Sequence, residues 1–235
     1  MGKVKIKKQS TIIDMTAMSD VTVLLLTFFM LTATFLQKEP VTVITPPSVS
    51  EAKVPDEKLV QVLVAPNGKV YLNMTGAKDS TQLSTETFRK EVLLDVYGDR
   101  KPGLTQKQVK EFCNLGTFGM PLNKISEWLN LPMEKRDEAL KEEGGIPIKM
   151  SVKTTTEDGQ SAAGQPNEFQ IWLKAIRQVM HNHGLDDDLR GGHLVAIKAE
   201  QNCPYSLVQV VMDNLQTEKL NKFTLMTSLK QEAEE

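Results

Sequence analysis

The stretch MTAMSDVTVLLLTFFMLTATFLQ, residues 15–37, decides how this chain is organised. From Val21 to Leu36 every residue is apolar or threonine. As a helix that run rises about 24 Å, short of the roughly 30 Å hydrocarbon core of a bilayer. Counting back to Met15 lengthens it to about 33 Å, enough to cross. The longer helix carries Asp20 inside it, about 7 Å from its start.

The preceding residues, MGKVKIKKQS, hold Lys3, Lys5, Lys7 and Lys8 and no acid. A lysine-rich flank places that side in the cytoplasm, and the bulk of the chain then lies on the far side. A cleaved signal peptide shares a basic start and an apolar run. Here Asp14 and Asp20 interrupt the approach, and TATFLQ lacks a small-x-small cleavage pattern. The core helix of a soluble domain would not need so unbroken a run. The reading is a basic tail over residues 1–11, a retained membrane helix over 12–37, a proline-rich linker over 38–57 and a folded domain over 58–235.

Asp20 admits two readings. In one it caps the helix at the membrane surface, with Ser19 sharing the task, by accepting bonds from free backbone N–H groups. In the other it lies within the membrane and faces protein. An ionised aspartate near the bilayer centre costs about 2.5–3.5 kcal/mol on insertion scales, and less towards the edge. Such acids persist where they face a partner or a wet cavity, and they commonly serve proton pathways. At about 100° per residue, Thr16, Asp20, Thr27 and Thr34 fall within an arc of about 40°. One helix face is therefore polar, while Leu and Phe occupy the other. Threonine hydroxyls also bond to their own helix backbone, so the stripe does not identify what it faces. It favours a helix enclosed in an assembly over one alone in lipid.

The segment IDMTAMSDVTVLLLTFFMLTATF resembles the signature of the ExbD/TolR family: a short basic tail, one aspartate, then a Leu/Phe-rich membrane helix. The resemblance implies that Asp20 is the proton-responsive residue and that Asp14 is interfacial. Many family members carry proline where this chain has Ala17, a departure that touches the helix entry more than the chemistry. The resemblance also implies partners and a place. Two copies of the helix would sit inside an ExbB-like pentamer in a bacterial inner membrane. Protons reaching Asp20 would shift the helix pair, and a TonB-like or TolA-like protein would receive the motion. ExbD-type transport across the outer membrane is the preferred expectation, and TolR-type envelope maintenance is the alternative. A passive tethered binding module, with no proton chemistry, is the rival from another class.

Beyond the membrane, KEPVTVITPPSVSEAKVPD holds Pro40, Pro46, Pro47 and Pro55, which favour extended chain. Within it Val41, Thr42, Val43 and Ile44 form a strand-like run. It reads as linker with a β preference, or as a strand that pairs with another chain by edge addition. Residues 58–65 and 69–74 alternate around Pro66-Asn67-Gly68, the pattern of a β-hairpin. Later, Phe169, Trp172, Leu173, Ile176 and Val179 follow helical spacing. Residues 194–199 and 223–228 read as strands, separated by a helix opening at Pro204 with Leu207, Val208, Val211, Met212 and Leu215 on one face. A strand, a crossover helix and a strand imply a parallel pair. This ending, with Tyr205 and Met212, also resembles the family's periplasmic ending. The expected fold is a single transmembrane α-helix plus a periplasmic α/β domain, a β-hairpin followed by a β-α-β ending. A helical insertion spans about residues 84–165, and the Gly/Ser/Thr-rich SVKTTTEDGQSAAGQ is a flexible return.

Lys+Arg 28 against Asp+Glu 30 gives a net charge of −2, so no broad basic face awaits nucleic acid. Cys113 and Cys203 are expected as unpaired thiols, with one bridge as the alternative. His181, His183 and His193 with Cys203 meet no structural-zinc spacing, so no metal is expected. Asp186, Asp187 and Asp188 lack a calcium-loop pattern and read as a solvated turn. No phosphate loop or nucleophile elbow occurs, and neither an enzyme nor a cofactor is expected.

Overall fold

The computed structural model describes residues 15–32, 43–48, 57–77, 83–98, 103–149, 166–192 and 194–229. The chain divides into two compact units, Met1–Gln37 and Lys38–Glu235. The first contains helix α1, Met15–Thr32. None of its described residues is buried, and Leu24, Leu26, Phe28, Phe29 and Leu31 all present apolar surface. It is long and apolar enough to cross a membrane.

The second unit is a mixed α/β domain. Strand β1 is the short Pro47–Ser48. Strands β2, Val60–Val64, and β3, Val70–Met74, form the expected hairpin, pairing Val60 with Met74 and Val64 with Val70. Ala65 N donates to Lys69 O, and Gly68 takes a φ of 80° at the last loop position. A three-residue loop of this kind needs a left-handed residue there, which glycine supplies without steric penalty. Because partners alternate faces, Val60, Val62, Val64, Val70, Leu72 and Met74 share one face, all fully buried.

Three helices follow from readable caps. Ser84 accepts a hydrogen bond from Thr87 N and opens α2, Thr85–Tyr97. Thr105 and Gln108 form a reciprocal capping box that opens α3, Gln106–Cys113. Asn167 and Gln170 form another, after a two-residue strand and two further helices: β4, Thr117–Phe118; α4, Ile125–Leu129; and α5, Met133–Glu142. The helix that Asn167 opens is α6, Glu168–Asn182, and it is followed by the short α7, Asp186–Gly191. The ending comprises β5, Val195–Ala199; α8, Tyr205–Thr217; β6, Thr224–Leu225; and β7, Ser228–Leu229.

The main sheet has the order β4-β3-β2-β5-β6. Strand β5 runs parallel to β2, with Val60 opposite Val195, and β6 runs parallel to β5. The crossover reading of the ending is therefore correct. The strand expected over 223–228 is divided instead. Thr224–Leu225 belongs to the main sheet, whereas Ser228–Leu229 turns away to pair in parallel with β1.

Two further expectations change. Residues 84–165 were expected to be a helical insertion, but their described part is built into the common core. Strand β4 extends the sheet by pairing with β3, with Leu72 opposite Phe118. The returning chain is stitched in by Gly145 N to Gly119 O at 2.7 Å and Ile146 N to Val70 O at 2.9 Å. Phe112 and Phe118 pack with Trp172 of α6, with ring centroids 4.9, 6.0 and 4.8 Å apart around the triangle. The Gly/Ser/Thr-rich return itself lies outside the described residues. Asp186, Asp187 and Asp188, read as a solvated turn, instead open α7. Acidic residues at a helix start interact well with its dipole, so the same composition serves either role.

Two buried arginines lock these pieces together. Arg89 on α2 is 4 % exposed and donates to Met74 O at 2.9 Å and Cys113 O at 3.0 Å. Burial pulls its guanidinium down to about 10, still charged at neutral pH. Arg136 on α5 donates to Leu131 O and Leu129 O and pairs with Glu111 at 2.9 Å. It thereby satisfies carbonyls left open at the end of α4.

Candidate functional site

Helix α1 bears on the capping reading of Asp20. The described helix begins at Met15, so Asp20 is five residues inside it, about 7.5 Å along the axis. A cap stands at the helix boundary with non-helical backbone, and Asp20 does not. Nor does Ser19 cap: its hydroxyl donates to Met15 O at 2.7 Å, a bond back to the preceding turn. Asp20 is a carboxyl-bearing side chain in the body of an apolar helix.

The helix geometry keeps Thr16, Asp20 and Thr27 on one face, and Thr34 lies outside the described residues. The Thr27 hydroxyl donates to Leu24 O at 2.9 Å. Thr22 and Thr32, on other faces, donate to Ser19 O and Phe28 O, each at 2.8 Å. Hydroxyls tied down this way add little polarity, so a helix with several threonines remains compatible with lipid. The ionised carboxyl of Asp20, which only accepts, cannot bond to the helix carbonyls as the hydroxyls do. In a membrane its hydrogen bonds must come from another helix or from water.

Half of the strand-like run of the linker falls within the described residues. Val41 and Thr42 lie outside the described residues. Val43 is 6 % exposed and belongs to the core, and Ile44 is exposed. Neither is in a strand; pairing begins three residues on, at β1. Gln201 N donates to Ile44 O at 2.8 Å, and Ser228 donates through Oγ to Thr45 O and through N to Pro46 O. Ile44, Thr45 and Pro46 are thus hydrogen-bonded within their own domain, at Gln201 and at the C-terminal strand.

The histidines and cysteines are dispersed. His183 Nε2 lies 2.7 Å from Glu91 Oε2, His181 is exposed, and His193 lies outside the described residues. Among the described residues no three His, Cys, Asp or Glu side chains are grouped to hold a metal ion. Cys113 and Cys203 are both free thiols. Burial raises both above the ordinary thiol range, which leaves them weak nucleophiles.

Residues 7–105 match the model of a family described as Biopolymer transport protein ExbD/TolR. The matched stretch takes in α1 with Asp20, the β2–β3 hairpin and α2, and stops before α3. The β5-α8-β6 ending, read from the sequence as similar to the same family, lies beyond it. No curated protein and no solved structure gave a significant match.

Proposed function

We propose that this chain, whose residues 7–105 match the ExbD/TolR family model, acts as a member of that family and couples proton entry to work at the outer membrane through Asp20. One observation carries the reading: Asp20 stands in the body of α1 instead of at its cap. The basic N-terminal tail keeps that end in the cytoplasm. The α/β domain then lies in the periplasm, and the chain crosses the inner membrane once. Two copies of α1 are enclosed by a pentamer of a multi-helix ExbB-like subunit. A proton arriving from the periplasmic side neutralises the Asp20 carboxylate, which removes its attraction for polar groups of the enclosing subunit. Its loss to the cytoplasm restores the charge. The alternation moves the helix pair, and the domain transmits the motion to a TonB-like protein.

The composition of the complex tests this. Extraction in mild detergent followed by native mass measurement is expected to return two copies of this chain with a multi-helix companion. A monomer, or a dimer with no such companion, would favour a passive tether.

A further inference from the structure

Four hydroxyls along α1 donate to the helix's own carbonyls: Ser19, Thr22, Thr27 and Thr32. With its proton committed, each oxygen can only accept from outside the helix. Their azimuths separate them. At about 100° per residue, Thr27 lies about 20° from Asp20, whereas Ser19, Thr32 and Thr22 lie about 100°, 120° and 160° away. Of these four, Thr27 alone shares the face of Asp20. It stands two turns further along, about 10.5 Å, towards the side from which protons arrive. The residues flanking that track, Val23, Leu24 and Leu31, offer nothing to hold water.

Resting on the proposed role of Asp20, we propose that Thr27 is a positioning residue for proton delivery, anchoring a short file of water that ends at the Asp20 carboxylate. Its hydroxyl oxygen accepts a hydrogen bond from the outermost water. At about 2.8 Å per step, about three waters span the gap. The proton does not pass through Thr27, whose hydrogen stays on Leu24 O. Each water instead receives one proton and releases one, and the last is taken up by the carboxylate, giving a neutral acid.

The experiment uses the full chain with its multi-helix companion in liposomes that contain a pH-sensitive dye, with a potassium–valinomycin potential. Removing one hydrogen bond to the water file in Thr27→Val is expected to lower proton flux about tenfold, with complex composition unchanged. Thr27→Ser keeps the acceptor and is expected to restore flux to near the parent value. Thr22→Val, on a remote face, is expected to conduct as the parent does. Parent-like flux in Thr27→Val, or equal losses in Thr22→Val and Thr27→Val, would overturn the proposal. Asp20→Asn separates the levels. If it is silent while Thr27→Val conducts fully, only the water file fails; if it conducts fully, the role of Asp20 fails and the water file with it.

Discussion

Asp20→Asn is expected to abolish proton-driven activity, by about a hundredfold or more, while the chain still inserts and assembles. The amide matches the carboxylate in shape and still makes hydrogen bonds, so packing around the helix is preserved. What it lacks is a group that can gain and lose a proton. Insertion gains instead of losing, since the substitution removes a charge whose membrane burial costs up to about 2.5–3.5 kcal/mol. Proton flux in the reconstituted complex measures the loss directly, and detergent-extracted complex measures assembly. A variant that assembles and still conducts would remove proton carriage from Asp20.

Trp172→Ala carries the second large effect, on stability. Trp172 is fully buried and stacks on Phe112 with ring planes 11° apart, while Phe118 tilts against both rings. Deleting it opens a cavity where α6, α3 and β4 meet, at an expected cost of about 3–5 kcal/mol. That is a large fraction of the roughly 5–15 kcal/mol typical of a domain. The indole N–H finds no acceptor, so part of the tryptophan's own burial is unfavourable. Trp172→Phe keeps an aromatic ring in the stack and removes that N–H. Its expected cost is therefore much smaller, about 1 kcal/mol, as the lost volume and the relieved N–H oppose one another. Urea unfolding of the domain from Lys38 onward reads both, and equal losses in the two variants would contradict this account of the cluster.

Features that depend on neighbours in the chain were legible in the sequence. Asn167 and Gln170 announced the start of α6, and Phe169, Trp172, Leu173, Ile176 and Val179 gave its buried face. Pro66-Asn67-Gly68 announced the hairpin, with only the loop type left for the structure. Features that depend on distant partners were not legible. Thr117–Phe118 is too short to show a period and is a strand only because β3 lies beside it. Within the described linker, Val43 and Ile44 have the better β composition, yet pairing falls at Pro47–Ser48, because Ser228 and Leu229 lie there. The helices after Ser84 were each readable, but their union with the hairpin and α6 in one core was not. That union rests on non-local contacts such as Arg89 with Met74 O, or Phe112 with Trp172. Asp20 stood out because an acid in an apolar run is conspicuous from composition alone. The direction of each threonine hydroxyl needed coordinates.

Under the proposed mechanism the domain is what α1 moves. Hairpin, crossover and helical layer share one core, with α2 packed along both α3 and α6. Close-packed protein interiors transmit strain. Val43, buried, and Pro47–Ser48, paired with β7, tie the described linker to that core.

The central claim is that the Asp20 carboxyl is withdrawn from water in the assembled complex and takes up protons there. Carbodiimides, which attack protonated carboxyl groups, test it by partition. Treatment of the membrane-embedded complex with apolar dicyclohexylcarbodiimide should modify Asp20 and stop proton flux, while a water-soluble carbodiimide leaves it unmodified. Modification by the water-soluble reagent alone, with flux unaffected by the apolar one, would contradict the account.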